Sequence, residues 1–188
     1  MRRIIVAVFA VLVLASVAQA IEVNLGGFFG IRTVNDAAIK GIYGNGMVIY
    51  PYLGLILKNG LGIGVSYEFY DRSGTVQPYD ESTRLKISGP EVYLSYSLKL
   101  KHIRPYIRAG YGSYSYNQEI VSDYVAGYSV NAKKSAPHFA AGSTFLLFKT
   151  VYVAVEAKYV PLKVRPIEDE VDLGGWRFGG GIGVSFGK

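Results

Sequence analysis

Cysteine is absent from this 188-residue chain, and tryptophan and methionine are rare, with one and two copies. Without cysteine the chain can form no disulfide scaffold, thiol catalyst or cysteine-linked lipid anchor. No apolar run long enough for a membrane-spanning helix follows residue 20, since such a helix needs about 20 apolar residues. A membrane role for the rest of the chain therefore leaves only strands that close into a barrel.

The first 20 residues differ from everything that follows. Two arginines precede an apolar run over residues 4–14, and small residues ending in Ala18-Gln19-Ala20 close the segment. The apolar run is about half as long as a spanning helix requires, so a cleaved export signal is favoured over a membrane anchor. We therefore expect residues 1–20 to be a signal peptide and residues 21–188 to form one domain, exported through the general secretory pathway.

Acidic and basic residues are nearly balanced after residue 20. The remaining segment holds 18 Lys and Arg against 14 Asp and Glu, and its longest basic block is Lys133-Lys134. A charge excess this small, on an exported chain, gives no reason to expect nucleic acid as a partner. The abundant residues are 16 Tyr, 9 Phe and 23 Gly, of which the aromatic ones favour strands.

Alternation of apolar and polar residues, the period of a β-strand, recurs along the chain. The alternation is clearest in residues 61–70, 91–100, 151–159 and 173–186. Four weaker segments complete a set of eight strands, at residues 21–32, 47–57, 106–116 and 137–148. Residues 47–57 are apolar on both faces and residues 137–148 alternate poorly, so the orientation of these two strands stays open.

The connections between these segments alternate between short and long. Lys58-Asn59-Gly60 is typical of a tight hairpin, and short turns are also expected at residues 101–105 and 149–150. Longer polar connections occupy residues 33–46, 71–83, 117–136 and 164–172. Short periplasmic turns and long outer loops are typical of outer-membrane barrels, and an even number of strands puts both termini beside the short turns.

In such a barrel the apolar face of each strand meets lipid and the other face lines the lumen. A soluble barrel would reverse this, but glycine and serine dominate the polar faces and suit the confined interior of eight strands. Charges on these inward faces must be paired, because an unpaired buried charge is costly. We expect a structural lumenal charge network, with Arg32 near one rim, formed by Glu68, Glu91, Lys99, Arg108, Glu156, Lys158 and Arg177.

Many tyrosines occur close to the ends of the predicted strands. Amphipathic aromatic rings often form girdles at the two membrane surfaces, although strand propensity also enriches tyrosine. We assign girdle positions to Tyr50, Tyr52, Tyr70, Tyr106, Tyr114, Tyr116 and Tyr159.

Two segments resemble the OmpA-like and OmpX-like family of small outer-membrane barrels. Residues 104–112, Arg-Pro-Tyr-Ile-Arg-Ala-Gly-Tyr-Gly, look like the opening of a mid-barrel strand, and residues 176–186 are similar to the glycine-rich final strand of these proteins. The resemblance covers residues 21–188 and implies a single eight-stranded antiparallel up-and-down transmembrane barrel. It also implies outer-membrane lipid, lipopolysaccharide and, during biogenesis, the barrel-assembly machinery as partners.

Catalytic and metal-binding patterns are scarce. His138 has Ser135 and Ser143 nearby in sequence, and Glu168, Asp169 and Glu170 follow in the last long connection, but no His-x-Ser pair of the lipid-deacylase type occurs. The acidic run at residues 168–172 lacks the ordered spacing of a calcium loop and favours a solvated loop tip over a cation site. We therefore expect no enzyme activity, no cofactor and no metal.

Two functions stay open at this point. The first is a closed small barrel with a structural, adhesive or surface-interaction role through its outer loops, with residues 117–136 as the main contact. The second is a narrow channel for small or apolar solutes, for which the apolar residues 47–57 are the only indication.

Overall fold

The computed structural model describes residues 22–77, 81–121, 128–165 and 170–187. The signal peptide predicted at residues 1–20 lies outside these ranges and stays a prediction. Within them, no helix is long and apolar enough to cross a membrane.

Eight antiparallel strands of the described residues close into one barrel, which confirms the predicted all-β, up-and-down architecture. Each strand pairs with the barrel strand before and after it in the chain, and the last pairs with the first to close the wall. A separate two-stranded sheet precedes the last barrel strand in the chain. The strands are β1 (Glu22–Arg32), β2 (Gly46–Ile56), β3 (Leu61–Val76), β4 (Glu81–Ser97), β5 (Ile103–Val121), β6 (Tyr128–Leu146), β7 (Val151–Val160), β8 (Lys163–Val164), β9 (Val171–Asp172) and β10 (Gly175–Phe186).

Three short turns, at residues 57–60, 98–102 and 147–150, lie at the barrel end where β1 begins and β10 ends. Gly60 has a φ of 89°, which favours glycine, and a Cβ there would lie 2.2 Å from the Ser97 carbonyl oxygen. The turns predicted at residues 58–60 and 149–150 are confirmed. The turn expected at residues 101–105 begins earlier, at residue 98, because β4 ends at Ser97.

The opposite end differs from the long loops that the sequence predicted. β3 and β4 continue as a paired hairpin to Val76 and Glu81, and β5 and β6 continue to Val121 and Tyr128. Two extended hairpins therefore replace most of the connections expected at residues 71–83 and 117–136. The outward face of these hairpins is polar, and such polarity resembles a loop in the sequence.

The first long connection contains a short helix, α1 (Ala37–Tyr43), which the sequence pattern did not indicate. The Asp36 side chain accepts hydrogen bonds from the backbone amides of Ala38 and Ile39 and caps the first turn. Arg72 Nε of β3 donates to the Tyr43 carbonyl oxygen. α1 therefore covers the part of β3 that lies beyond the end of its pairing with β2.

The outward faces of the barrel strands form an apolar surface. Side chains more than half exposed on this surface include Leu25, Phe29, Ile63, Leu94 and Ile182. An apolar surface this extensive is suited to lipid rather than water, as expected for a transmembrane barrel. Burial also settles the orientation of the two strands that the sequence left open. Tyr50 and Tyr52 of β2 face the lumen, and so does His138 of β6.

Candidate functional site

Rings in the lumen lie over glycines of the neighbouring strands. A Cβ added at any of these glycines would lie 2.4–2.7 Å from the side chain of its cross-strand partner. Glycine therefore makes room for the large lumenal side chains, which fill the interior that eight strands enclose. The pairs are Tyr52 over Gly26, Tyr93 over Gly64, Tyr106 over Gly142, Tyr152 over Gly183 and His138 over Gly110.

The girdle prediction is wrong for six of its seven tyrosines. The exception is Tyr159, which contacts Trp176 on the outer surface with 5.2 Å between ring centroids. Alternation along the strand, rather than distance from its end, decides which way a tyrosine points. The six that lie in the interior, each at most 6% exposed, are Tyr50, Tyr52, Tyr70, Tyr106, Tyr114 and Tyr116.

The most deeply buried charges meet at Glu68. Its carboxylate oxygens lie 3.1 Å from Arg32 Nη1, 2.7 Å from Arg177 Nε and 3.0 Å from Lys158 Nζ. The side chains of Glu68, Arg32 and Arg177 have no exposed surface. Three cations from β1, β7 and β10 thus share one carboxylate from β3, which connects opposite parts of the wall through the lumen.

Lys158 extends this cluster to a second carboxylate. Its Nζ lies 2.9 Å from Oε1 of Glu91, a residue of β4. Glu91 also accepts hydrogen bonds from the hydroxyls of Ser66, at 2.6 Å, and Tyr114, at 2.7 Å. Charge-assisted bonds of this kind offset the cost of burying a carboxylate.

A second cluster surrounds Glu156, nearer the short turns. Glu156 accepts hydrogen bonds from Tyr50 at 2.8 Å and Tyr106 at 2.9 Å, and it forms an ion pair with Arg108 at 3.0 Å. The Arg108 guanidinium carbon also lies 4.5–5.8 Å from the centroids of four rings, and this geometry is typical of cation–π contacts. The rings are those of Tyr106, Tyr93, Tyr52 and Phe28.

A third cluster lies at the short-turn mouth of the barrel. Glu22 pairs with Arg104 and with Lys99 Nζ, the latter at 3.3 Å. A cavity of about 40 Å³ reaches from Glu22 to Arg108, which is room for a few water molecules. Asn24 Oδ1 and Arg104 Nε line it without a protein partner, so ordered water is their natural partner.

Apolar side chains cover the end of the lumen opposite the short turns, which we call the outer end. Val34 and Ile39 of the first connection, together with Leu162 and Leu173 of the last, are buried in one cluster. The Tyr43 hydroxyl lies 2.7 Å from the Thr83 hydroxyl and accepts a hydrogen bond from Gln118 Nε2 at 2.8 Å. These contacts hold α1 across the outer end of the lumen, beyond the charges at Glu68.

The seven residues expected in the lumen all occur in these three clusters. Lys99 lies at the short-turn mouth with 30% of its side chain exposed, and the other six residues lie deeper in the lumen. Arg32, expected near one rim, is the last residue of β1 and contacts Glu68 directly. The sequence analysis missed the pairing of Glu22 with Arg104. Alternation would have put Glu22 on the inward face of β1 with Arg32, and Arg104 on the inward face of β5 with Arg108.

The residues weighed for catalysis do not assemble. His138 points into the lumen, whereas strand alternation puts Ser135 and Ser143 on the other face of β6. Glu170 pairs with Lys163 at 3.0 Å, and the hydrogen bond from Lys163 lowers the pKa of that carboxyl. Glu168 and Asp169 lie outside the described residues. Within the described ranges, no group of three His, Asp or Glu side chains is placed to hold a metal ion.

The apolar outer surface of the barrel forms a belt, and four strands extend beyond it at the end opposite the short turns. We call this part the projecting sheet, residues 71–76, 81–88, 113–121 and 128–136. The outward face becomes polar there, and Asn117 Nδ2 donates to Asn131 Oδ1 at 2.6 Å. β7 pairs with β6 only from Phe139 onward. Among the described residues, the earlier part of β6 therefore has no strand paired to its outer edge, although β8 lies beside it.

Solved structures with this fold are outer-membrane barrels. Ail, the attachment invasion locus protein of Yersinia pestis, in complex with the heparin analogue sucrose octasulfate, aligns with a TM-score of 0.59 at 17% identity, covering 89% of this chain and 99% of Ail. Neisserial surface protein A aligns with a TM-score of 0.55 at 12% identity, covering 88% and 97%. The N-terminal barrel of Pseudomonas aeruginosa OprF aligns with a TM-score of 0.54 at 15% identity, covering 89% and 98%.

The chain has the fold of the small eight-stranded outer-membrane barrels. Identities of 12–17% make this a likeness of fold alone. At that level it confirms the resemblance to OmpA-like and OmpX-like barrels drawn from residues 104–112 and 176–186. No protein-family model matches the chain, and no curated protein matches its sequence.

Proposed function

We propose that this chain is a closed barrel of the bacterial outer membrane and that the projecting sheet is its working surface. One contrast carries the proposal: side chains fill the lumen, whereas four strands extend past the apolar belt. A filled lumen leaves no wide path for solutes. The edge of β6 that has no paired strand in the described ranges, which β8 flanks, offers backbone donors and acceptors to a partner. The role is structural or adhesive and involves no catalysis.

The proposal includes the export route. Residues 1–20 act as a cleaved signal, and the barrel-assembly machinery inserts the domain of residues 21–188 beside lipopolysaccharide in the outer membrane. The apolar outer surface and the fold shared with Ail and OprF support this location. Mass spectrometry of the purified protein is expected to find Ile21 as its first residue, and a chain that keeps Met1 would contradict cleavage.

An adhesive role is supported by the likeness to Ail, whose name describes attachment and which was solved with a heparin analogue. The outer end of this chain carries exposed cations that suit a sulfated glycan. They are Lys133 and Lys134 of β6, with Lys163 and Arg165 beside them.

Removal of the β5–β6 tip tests the adhesive role. Tyr116 and Ala132 are cross-strand partners, so an Asn-Gly turn can replace residues 117–131 and leave the pairing of β5 with β6 below them intact, although the contact between Gln118 and Tyr43 is lost. Bacteria displaying the shortened chain are expected to lose adherence to cultured epithelial cells, and those displaying a K133Q/K134Q variant are expected to lose adherence to immobilised heparin. A Lys58→Gln variant, changed at the opposite end, is the control and should adhere like the wild type. Undiminished adherence of the shortened chain would contradict the role.

A narrow channel is the second candidate, and the cavity at the short-turn mouth favours it. A solute would still have to pass the Arg108–Glu156 pair and the apolar cover at the outer end. Residues 47–57 do not provide a purely apolar lining. β2 turns Tyr50 and Tyr52 inward, and each brings a polar hydroxyl into the lumen. Flux of small solutes into liposomes that contain the barrel tests this alternative.

A further inference from the structure

The three short turns share one sequence pattern. Each carries a lysine directly after an apolar residue: Leu57-Lys58, Leu100-Lys101 and Phe148-Lys149. We call Lys58, Lys101 and Lys149 the lysine ring. All three are exposed, and none makes an ion pair or hydrogen bond with another described residue.

The lysine ring encircles most of the barrel rim. Its turns connect β2 to β3, β4 to β5 and β6 to β7, and the fourth corner of the rim holds the start of β1 and the end of β10. The lysines are thus distributed around the wall instead of forming one patch.

Apolar side chains beside the lysines are exposed on the outer surface. Leu98 is 50% exposed, Leu100 59%, Leu147 55% and Phe148 72%. At the edge of an apolar belt such side chains reach into hydrocarbon. A lysine next to them can lay its methylene stem along that surface and bring its ammonium to the level of the lipid phosphates.

Negative charge is nearly absent from this end. Among the described residues its one carboxylate belongs to Glu22, which is buried against Lys99 and Arg104. The projecting sheet, by contrast, carries both signs side by side, as in the pair between Arg84 and Asp71. A cationic rim without exposed acids favours an anionic partner at the short-turn end.

We propose that the lysine ring binds the headgroups of anionic phospholipids in the leaflet at the short-turn end. The ammonium groups donate to phosphate oxygens while the acyl chains of the same lipids contact Leu100 and Phe148. Distribution around the rim and pairing with lipid-facing apolar residues favour lipid over an acidic protein, which would need a continuous patch. This inference concerns the end opposite to the adhesive surface and does not depend on it.

Spin-labelled lipids measure the proposed preference. The barrel is reconstituted in phosphatidylcholine with trace labelled phosphatidylglycerol or phosphatidylcholine, and the motionally restricted fraction of each label is compared. Wild type is expected to prefer phosphatidylglycerol, and salt should weaken the preference. One lysine near an anionic headgroup changes a local binding constant about fivefold. The triple variant K58Q/K101Q/K149Q is therefore expected to show a preference ratio close to one.

The control variant K40Q/K133Q/K134Q removes the same charge at the opposite end and should keep the preference. Migration before and after boiling verifies that both variants are folded. An unchanged preference in the first variant, or an equal loss in the control, overturns the proposal. So does a result in which the first variant keeps its lipid preference but loses binding of soluble polyglutamate, since that points to an acidic protein partner.

Discussion

The lumen and the projecting sheet use the same ion-pair chemistry with opposite consequences. In the lumen, Glu68 and Arg177 are fully buried and 2.7 Å apart. On the sheet, Arg84 donates two hydrogen bonds to Asp71, but their side chains are 51% and 46% exposed. Water can replace a partner on the sheet, whereas nothing replaces one in the lumen. The ion pairs of the lumen therefore stabilise the fold, whereas substitutions in the ion pairs of the projecting sheet should cost little stability.

The largest effect is expected at Glu68. A Glu68→Gln change leaves Arg32, Arg177 and Lys158 without their shared anion, and loss of one member of a buried ion pair costs about 3–5 kcal/mol. The free energy of unfolding in urea, followed by migration on gels, measures the loss. Asp71→Asn is the exposed counterpart and should be nearly neutral. Equal stability of the two variants would show that burial does not separate the two regions.

A smaller loss is expected when a lumenal hydroxyl is removed. Tyr114→Phe deletes the hydrogen bond to Glu91, and a bond to a charged group contributes about 1.5–3 kcal/mol. Tyr111→Phe is a matched control on the same strand, because Tyr111 is 55% exposed on the outer surface. The two unfolding free energies are compared under identical detergent conditions. A control as unstable as Tyr114→Phe would rule out the hydrogen bond as the cause.

Glycine substitution sharpens the comparison between the two faces of the wall. A Cβ at Gly64 would lie 2.4 Å from the Tyr93 ring and 2.7 Å from the Leu53 carbonyl oxygen, whereas a Cβ at Gly27 has nothing within 4 Å. Overpacking predicts a loss of about 1–3 kcal/mol for Gly64→Ala. Gly27→Ala should retain wild-type stability in the same unfolding measurement. A tolerated Gly64→Ala would mean that Tyr93 moves aside freely.

The smallest effect is expected at Arg84, whose replacement by Gln should lower stability by less than about 1 kcal/mol because the pair is exposed. The hydrogen bond from Arg84 holds the pKa of Asp71 below its ordinary value of about 3.9. A lowered folded-state pKa means that the pair stabilises the fold above that ordinary value and loses its effect as pH falls through the lower one. NMR titration of Arg84→Gln should find the Asp71 pKa raised towards the ordinary value. No change in this titration would contradict the pairing.

Strict alternation made the membrane part of the fold predictable. It identified the strands other than residues 47–57 and 137–148 and put Glu68, Glu91 and Arg108 on inward faces, because lipid on one side and a narrow lumen on the other select different residues. The same rule, applied to Tyr106 and Tyr114, would have assigned them to the lumen with Arg108. We assigned them instead to an aromatic girdle because they lie near strand ends, and that assignment was wrong.

Outside the bilayer this selection disappears. The outward face of residues 71–76 and 113–121 meets water instead of lipid and is polar, so these segments resemble loops although they are paired strands. α1 depends on a local cap at Asp36 and on contacts with β3 that are distant in sequence. Nor does alternation reveal which carboxylate reaches which cation, because Glu68 and Arg177 are 109 positions apart.

Single-channel recording of the purified barrel in planar bilayers tests most directly whether paired charges and rings close the lumen. We expect a silent membrane for the wild type across the voltages at which open porins conduct, because side chains fill its lumen. Regular openings of constant size would contradict it and would favour the narrow channel instead.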